Sequence, residues 1–231
     1  IFRHAAVGDS VLVGTVTGGE PPEGTNFETV QSLHRRWADS LGQSPERMVA
    51  HRRAEDVEAL GILRAAVHHL PFLDCIYRAG PDGASLYPGP TDMFGPFNPQ
   101  DAATVDTVAE ALARLPRAGR VYLPLGVGNH IDHGVARRAG ERVFDGVAYY
   151  EDYPYTMAAG ALDAVLPPSS RGEWLAETAW LTQAALDAKI ASVSAYRSQL
   201  SSFFAGPDDL AAKLHAEGQR VMGEAQSGGE T

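Results

Sequence analysis

The stretch RVYLPLGVGNHIDHGVARRA, residues 120–139, contains an apolar strand, a glycine-rich turn and the start of a helix. Residues 120–125 are predicted to form the strand, and the helix is predicted to begin at Ile131. A strand that leads directly into a helix is typical of α/β proteins with a mostly parallel sheet. The turn between them carries two histidines and an aspartate at the carboxyl end of the strand, where folds of this class place ligands.

The same alternation of strands and helices continues through the rest of the chain. Apolar runs and periodic apolar residues predict strands at 10–16, 66–70 and 146–151, and helices at 28–41, 45–65, 99–115, 174–203 and 207–225. Ser44 and Asn98 are expected to cap the helices that follow them, and residues 79–98 are expected to form a loop. No linker or shift in composition divides the chain, so residues 1–231 are predicted to be a single domain.

Composition excludes several classes of protein. The formal net charge is −10 and no basic face is visible, so nucleic acid is not expected as a partner. No apolar run approaches the ~18 residues that a membrane span needs, and the cytoplasm is the expected location. The sequence has one cysteine, Cys75, which rules out an intrachain disulfide and is expected to be a small buried residue rather than a nucleophile.

The cluster in the turn is the best candidate for chemistry. His130 and His133 are three residues apart at a predicted helix start, so both rings can face one point above the sheet. A neutral imidazole is a good zinc ligand, and Asp132 could orient a histidine or tune its pKa. On spacing alone, two surface histidines remain an equal alternative. A hydrolytic zinc site also needs three protein ligands, so further ligands must come from elsewhere.

Three further polar segments have both a functional and a purely structural interpretation. They are HRRAED at 51–56, YEDYPY at 150–155, and Lys189, Tyr196 and Gln199 along one helix. The first is more readily explained by a solvated helix face with ion pairs three residues apart. The second is either a polar loop with aromatic cover or a sugar-binding rim, since aromatic faces and carboxylates suit pyranose rings. The third alone is only an amphipathic pattern.

Taken together, these segments resemble the PIG-L/LmbE-like family of zinc-dependent N-acetylglucosaminyl deacetylases. The resemblance covers most of the chain, and the order and spacing of its parts are more specific than any one part. It is closest to the bacterial branch that includes glycopeptide-antibiotic sugar deacetylases. The matching stretches are VLVGTV (11–16), RRAED (52–56), DCIYR (74–78), GNHIDH (128–133), YEDYPY (150–155) and the set at 189, 196 and 199.

The resemblance implies a Rossmann-like three-layer fold and hydrolysis of an N-acetyl group on an amino sugar. It assigns His133 as a ligand of Zn²⁺ or another divalent metal. His130 would be the partner acid or oxyanion stabiliser, with Asp132 tuning it. The residues expected to bind substrate are Arg52, which matches a substrate-contacting arginine of the family, and Glu151, Asp152 and Tyr155 of the aromatic rim.

One departure from the family pattern is serious. The family's metal also takes ligands from a Pro-His-x-Asp-Asp motif after the first strand, which supplies the general base as well. No position of the chain matches that motif. Because residues 1–6 are predicted to be the tail of a helix, a strand, its loop and the first helical turns are expected before Ile1, on the order of 15–25 residues. The chain alone is therefore expected to carry half a site and to be inactive.

The sequence thus predicts a metal-dependent N-deacetylase acting on a small-molecule amino sugar or a glycoconjugate. One alternative is a non-catalytic sugar-binding or scaffold protein on the same fold, with an incomplete metal site. Another is a metallohydrolase of a non-sugar amide. The sequence indicates neither the particular sugar nor the oligomeric state, and imidazole and carboxylate ligands accept several divalent metals.

Overall fold

The computed structural model describes residues 1–25, 27–41 and 47–227, with backbone only at 38–41 and 223–227. The described helices are α1 (Phe2–Ala6), α2 (Glu28–Leu41), α3 (Met48–Ile62), α4 (Ala102–Leu112), α5 (Ile131–Val143), α6 (Ala161–Val165), α7 (Gln183–Ser194), α8 (Arg197–Phe203) and α9 (Pro207–Ser227). The described strands are β1 (Leu12–Thr15), β2 (Ala66–His69), β3 (Tyr122–Pro124) and β4 (Ala148–Tyr150). This alternation confirms the predicted α/β class.

The chain divides into two compact units. The first unit comprises residues 1–15, 34–68 and 174–231, and the second comprises residues 16–33 and 69–173. The single domain predicted from the sequence stays a prediction.

In the first unit, strands β1 and β2 pair, and helix α3 packs against α7. The side chains that close this core include Met48, Leu60, Leu210 and Leu214, all of which are buried. Two carboxylates are buried with them. Glu55 accepts hydrogen bonds from the backbone N–H (2.8 Å) and hydroxyl (2.6 Å) of Ser198, so helix α3 is tied to α8 by polar contacts as well as by apolar packing.

In the second unit, β3 and β4 pair in parallel, with Leu123 opposite Tyr149. Helices α4 and α5 pack against each other through buried valines such as Val108 and Val135. Helix α5 also lies very close to β3, because a Cβ added at Gly140 would come within 2.5 Å of a methyl group of Leu123. This packing fixes α5 against β3, and the turn at 126–130 joins the carboxyl end of β3 to the start of α5.

Most predicted elements are present, with shorter boundaries. Helix α2 has the predicted limits, and Asn98 accepts a hydrogen bond from the N–H of Gln100 at the start of a 3₁₀ turn that leads into α4. The predicted cap Ser44 lies outside the described residues. Residues 174–203 were predicted to be mostly helical, and α7 and α8 lie in this range, although 174–182 contains no helix. Helix α7 begins only where the Thr182 hydroxyl can accept from the N–H of Ala185.

Among the described residues, no helix has the length and apolar character needed to cross a membrane.

Candidate active site

The turn between β3 and α5 brings the candidate groups of the second unit together. Asn129 adopts a left-handed conformation (φ +56°), and so does Gly128 (φ +84°). Gly128 cannot carry a side chain without displacement of its neighbour, because an added Cβ would lie 2.5 Å from Cγ of Tyr155. The turn therefore allows the backbone to pass directly beneath the Tyr155 ring, next to both histidines.

His133 is oriented by a buried carboxylate. Its Nδ1 lies 2.6 Å from Oδ1 of Asp152, which is only 2% exposed. The other oxygen of Asp152 accepts hydrogen bonds from the backbone N–H groups of Gly126 (2.7 Å) and Val127 (2.9 Å). Because an ionised carboxylate can only accept a hydrogen bond, Nδ1–H of His133 is the donor. The neutral ring therefore keeps the lone pair of Nε2. Metal-binding histidines are typically oriented in this way.

His130 has the opposite arrangement. It is the N-cap of α5, and its Nδ1 accepts a hydrogen bond from the backbone N–H of Asp132 at 3.2 Å. The neutral ring must then carry its proton on Nε2, which makes that atom a hydrogen-bond donor. The ring centroids of His130 and His133 are 5.3 Å apart. Nε2 of His133 is thus able to bind a metal, and Nε2–H of His130 is able to donate a hydrogen bond.

Aromatic rings surround the two histidines. The Phe94 centroid lies 5.2 Å from that of His130, and the Tyr155 centroid lies 5.8 Å from those of both His133 and Phe94. Burial, and to a lesser degree the negative charge of Asp152, raises the pKa of Tyr155 above its ordinary value. Its hydroxyl therefore stays protonated at neutral pH and can act as a hydrogen-bond donor.

Asp132 belongs to a buried ionic network. Its carboxylate pairs with the guanidinium of Arg78 and accepts from the backbone N–H of Cys75 at 3.2 Å. Arg78, 5% exposed, also pairs with the buried Asp101, which accepts a hydrogen bond from Tyr87 at 2.9 Å. Removing one member of such a network leaves a buried charge unpaired. Asp132 therefore fixes the start of α5 to the segment around Cys75.

Among the described residues of this unit, either the cluster of Cys75, His130 and Asp132 or the ring of His133 could be considered for binding a metal. Donor atoms of Cys75, His130 and Asp132 lie within 4.8 Å of one another. However, Asp132 is already engaged by the guanidinium of Arg78, and burial raises the pKa of the Cys75 thiol far above its ordinary value, which disfavours the thiolate. His133 fits a metal better, because Asp152 fixes the tautomer that leaves Nε2 able to coordinate.

The predicted substrate contacts are distributed over both units. Glu151 is exposed at the end of β4, and Tyr155 is half-buried beside His133. Asp152 is buried and both its oxygens are engaged, so the structure gives it contacts to His133 and to the turn. Arg52 belongs to the first unit, where its guanidinium lies 4.8 Å from the Trp37 ring centroid. The roles assigned to these residues stay predictions.

Sequence reasoning missed three residues near the histidines. Arg78, Phe94 and Asn129 contribute the ionic network, an aromatic wall and the turn conformation. Phe94 and Asn129 lie in irregular segments, where no periodicity indicates which side chains meet. The dipeptide Gly-Asn at 128–129 is a turn signal and could have indicated the left-handed conformation.

Comparisons with known proteins bear on the fold. No protein-family model and no curated protein matches the chain. Among solved structures, the zinc-inhibited form of teicoplanin deacetylase has a TM-score of 0.78 and 25% identity, over 96% of this chain and 86% of that one.

The chain is similar in fold to teicoplanin deacetylase.

Further solved structures support the same fold. A deacetylase–teicoplanin complex has a TM-score of 0.70 and 25% identity, over 86% of this chain and 80% of that one. A deacetylase of the A40926 pseudoaglycone has a TM-score of 0.68 and 22% identity, over 95% and 83%, and supports the fold alone. The predicted Rossmann-like α/β fold is therefore confirmed.

Proposed function

We propose that this protein is a zinc-dependent hydrolase of the PIG-L/LmbE-like type that removes an N-acetyl group from an amino sugar or glycoconjugate. The observation that carries the proposal is the hydrogen bonding of the two histidines. Nδ1 of His133 bonds to buried Asp152, whereas Nδ1 of His130 accepts from the N–H of Asp132, which implies opposite tautomers. The likeness to teicoplanin deacetylase, one form of which is zinc-inhibited, supports both the reaction and the metal.

The metal would bind Nε2 of His133. When bound, a divalent cation supplies a Lewis acid that polarises the amide carbonyl and lowers the pKa of a water molecule. The resemblance assigns the remaining ligands and the general base to a Pro-His-x-Asp-Asp motif, which has no match among the 231 residues.

The chain's own residues act on the carbonyl oxygen of the amide. Water adds to the carbonyl carbon, and negative charge develops on that oxygen. Nε2–H of His130 can donate a hydrogen bond to it, because Nδ1 is already engaged as an acceptor. The C–N bond then breaks, and the proton lost by the water ends on the amine nitrogen, giving the free amino sugar and acetic acid, which releases its proton to solvent as acetate.

His130 acts more naturally as a neutral donor than as an imidazolium acid. Protonation of Nδ1 would break the hydrogen bond that caps helix α5. The oxyanion role is therefore favoured over the acid role that the resemblance leaves open.

The proposal is tested first by His133→Ala in the full-length protein. Zinc binding, measured by calorimetry, and acetate release from N-acetylglucosamine should be lost together. The control is His215→Ala, which removes an exposed histidine of α9. Because related deacetylases include a zinc-inhibited form, activity must be measured from substoichiometric to excess zinc. Activity retained by His133→Ala would exclude the assignment.

A second variant tests the orienting role of Asp152. Asp152→Asn keeps the size of the side chain but weakens the interaction that fixes the His133 tautomer. Such changes typically cost about 10–100-fold in metal affinity or activity. Unchanged zinc affinity would contradict this role. If the wild-type protein binds N-acetylated sugars but releases acetate from no member of a panel of N-acetylated sugars and amino acids, at any zinc concentration, the non-catalytic alternative is correct.

A further inference from the structure

Phe94 occupies an unusual position next to the histidines. Phe94 is the last residue of a short 3₁₀ turn, Asp92–Phe94. The planes of the Phe94 and His130 rings are almost perpendicular, with an interplanar angle of 81°. The Phe94 ring also contacts Tyr155 edge-on. Even so, Phe94 is 40% exposed. An aromatic side chain that served only to hold His130 in place would be expected to be buried.

The turn that carries Phe94 is fixed by two polar side chains. Oδ2 of Asp92 accepts a hydrogen bond from the N–H of Gly89 at 2.7 Å, which closes the loop on itself. The amide of Asn129 donates to the carbonyl oxygens of Phe94 (3.0 Å) and Gly95 (2.8 Å). Asn129 is the residue immediately before His130, so the position of the exposed ring is coupled directly to the position of the donor imidazole.

We propose that Phe94 is a specificity-determining residue whose exposed ring packs against the pyranose ring of the N-acetylated substrate. This rests on the proposed deacetylase function. The axial C–H bonds of a pyranose form an apolar face, and the electron-rich face of an aromatic ring attracts such C–H groups. Binding sites of this kind combine an aromatic wall with a few polar groups that set orientation. Here His130 and Phe94 supply those two parts.

The proposal distinguishes cyclic from acyclic amides. Packing on Phe94 contributes only when the substrate has a pyranose ring, whereas His130 and His133 act on the amide itself. Replacing Phe94 should therefore weaken the use of N-acetylglucosamine without affecting N-acetylethanolamine, an acyclic acetamide. A residue that merely supported His130 would affect both compounds to the same degree.

The experiment compares Phe94→Leu and Phe94→Tyr in the full-length, zinc-loaded protein. Acetate release from each compound gives kcat and KM. Phe94→Leu keeps an apolar side chain but loses the aromatic face, so kcat/KM for N-acetylglucosamine should fall by about three- to tenfold, mainly through KM. Phe94→Tyr should retain the wild-type value. The matched control is Phe97→Leu, since the Phe97 ring lies in the same loop under the Arg138 guanidinium.

Several outcomes would overturn the proposal. They are an equal loss on both compounds, no loss on either, or a Phe94→Tyr variant as impaired as Phe94→Leu. Calorimetric titration with N-acetylglucosamine tests Phe94 independently of turnover. If the wild-type protein binds the sugar but releases no acetate, the hydrolase assignment fails. Weaker sugar binding by Phe94→Leu than by Phe94→Tyr would in that case still support the role of Phe94 in binding the pyranose ring. If the wild-type protein does not bind the sugar, the role of Phe94 is rejected.

Discussion

At the scale of single residues, the site depends on a few side chains with several contacts each. Asp152 is the clearest case, because one buried carboxylate orients His133 and also accepts from two backbone N–H groups of the turn. Tyr155 likewise contacts both His133 and the backbone at Gly128. Changes at these positions should affect folding and chemistry together.

Gly128→Ala should destabilise the protein and disturb the site. The new residue would have φ +84°, and its Cβ would be 2.5 Å from Cγ of Tyr155. The left-handed conformation alone costs an alanine about 1–2 kcal/mol, and displacement of Tyr155 adds to that cost. The loss in free energy of unfolding is measured by urea denaturation, together with acetate release.

Gly126→Ala is the matched control for that change. Gly126 lies in the same turn with φ +88°, but no atom lies within 4 Å of an added Cβ. It should show only the conformational cost and a smaller effect on activity. If both variants lose the same stability, the proposed clash with Tyr155 is wrong.

Residue patterns predicted part of this site correctly. The sequence placed both histidines at the start of a helix after a strand, because apolar runs and turn signals are local. It did not indicate that Asp152 would be buried against His133. That contact requires β4 to pair in parallel with β3, so that both strands end at the same edge. No short segment of the sequence indicates which strands pair over such a distance along the chain.

At the scale of elements, helix ends were predicted well where a side chain caps the backbone. Asn98 is such a case, whereas the start of α7 was missed although the Thr182 side chain caps it. Within the first unit, helices are also joined by buried polar contacts that no periodicity predicts. The contact between Glu55 of α3 and Ser198 of α8 is the most deeply buried of these, with both residues at most 1% exposed.

Ser198→Ala should therefore destabilise the first unit. It removes the hydroxyl that donates to Glu55 at 2.6 Å and leaves a buried carboxylate with fewer donors. Loss of such a hydrogen bond typically costs about 1–3 kcal/mol, measured as free energy of unfolding in urea. Ser201→Ala, at an exposed position of the same helix, should change that value by less than about 0.5 kcal/mol. Equal effects would show that helix propensity, not the contact, is responsible.

At the scale of the whole molecule, each unit contains a phenol that donates to a buried or nearly buried carboxylate. Tyr196 donates to Asp56 at 2.6 Å in the first unit, and Tyr87 donates to Asp101 at 2.9 Å in the second. Burial, followed by the contact with Asp56, raises the pKa of Tyr196. Burial is also the main cause that raises the pKa of Tyr87.

These shifts predict that stability falls at alkaline pH. The unfolded chain releases phenolic protons near pH ~10, whereas the folded protein keeps them to higher pH. The folded state therefore binds more protons above that pH, and its free energy of unfolding must decrease as pH rises. The contribution is complete below pH ~10 and is lost as pH rises through the folded-state pKa values.

Tyr196→Phe tests this explanation. The variant should lose stability at neutral pH, yet its free energy of unfolding should depend less steeply on pH between about 9 and 11. Tyr122→Phe removes an exposed phenol and serves as the control. A profile that changes equally in both variants would show that burial of the phenol is not the cause.

The α/β class and the order of elements could be predicted because they follow from local periodicity. The contents of the 79–98 loop could not, since the turn that carries Phe94 is defined by a clamp from Asn129, over thirty residues away in sequence. The sequence contains no indication of the proposed role of Phe94 in substrate binding, because that role depends on the same long-range contact.

The buried thiol of Cys75 can serve as a probe of ligand binding. It is fully buried beside the ionic network of Arg78, and the sequence contains no other cysteine. An alkylating reagent can reach the sulfur only during transient opening of that region. The rate of Cys75 alkylation, followed by mass spectrometry, therefore reports local opening of the structure next to the histidines. A ligand that closes this region should slow the labelling, which provides an assay for binding that requires no turnover.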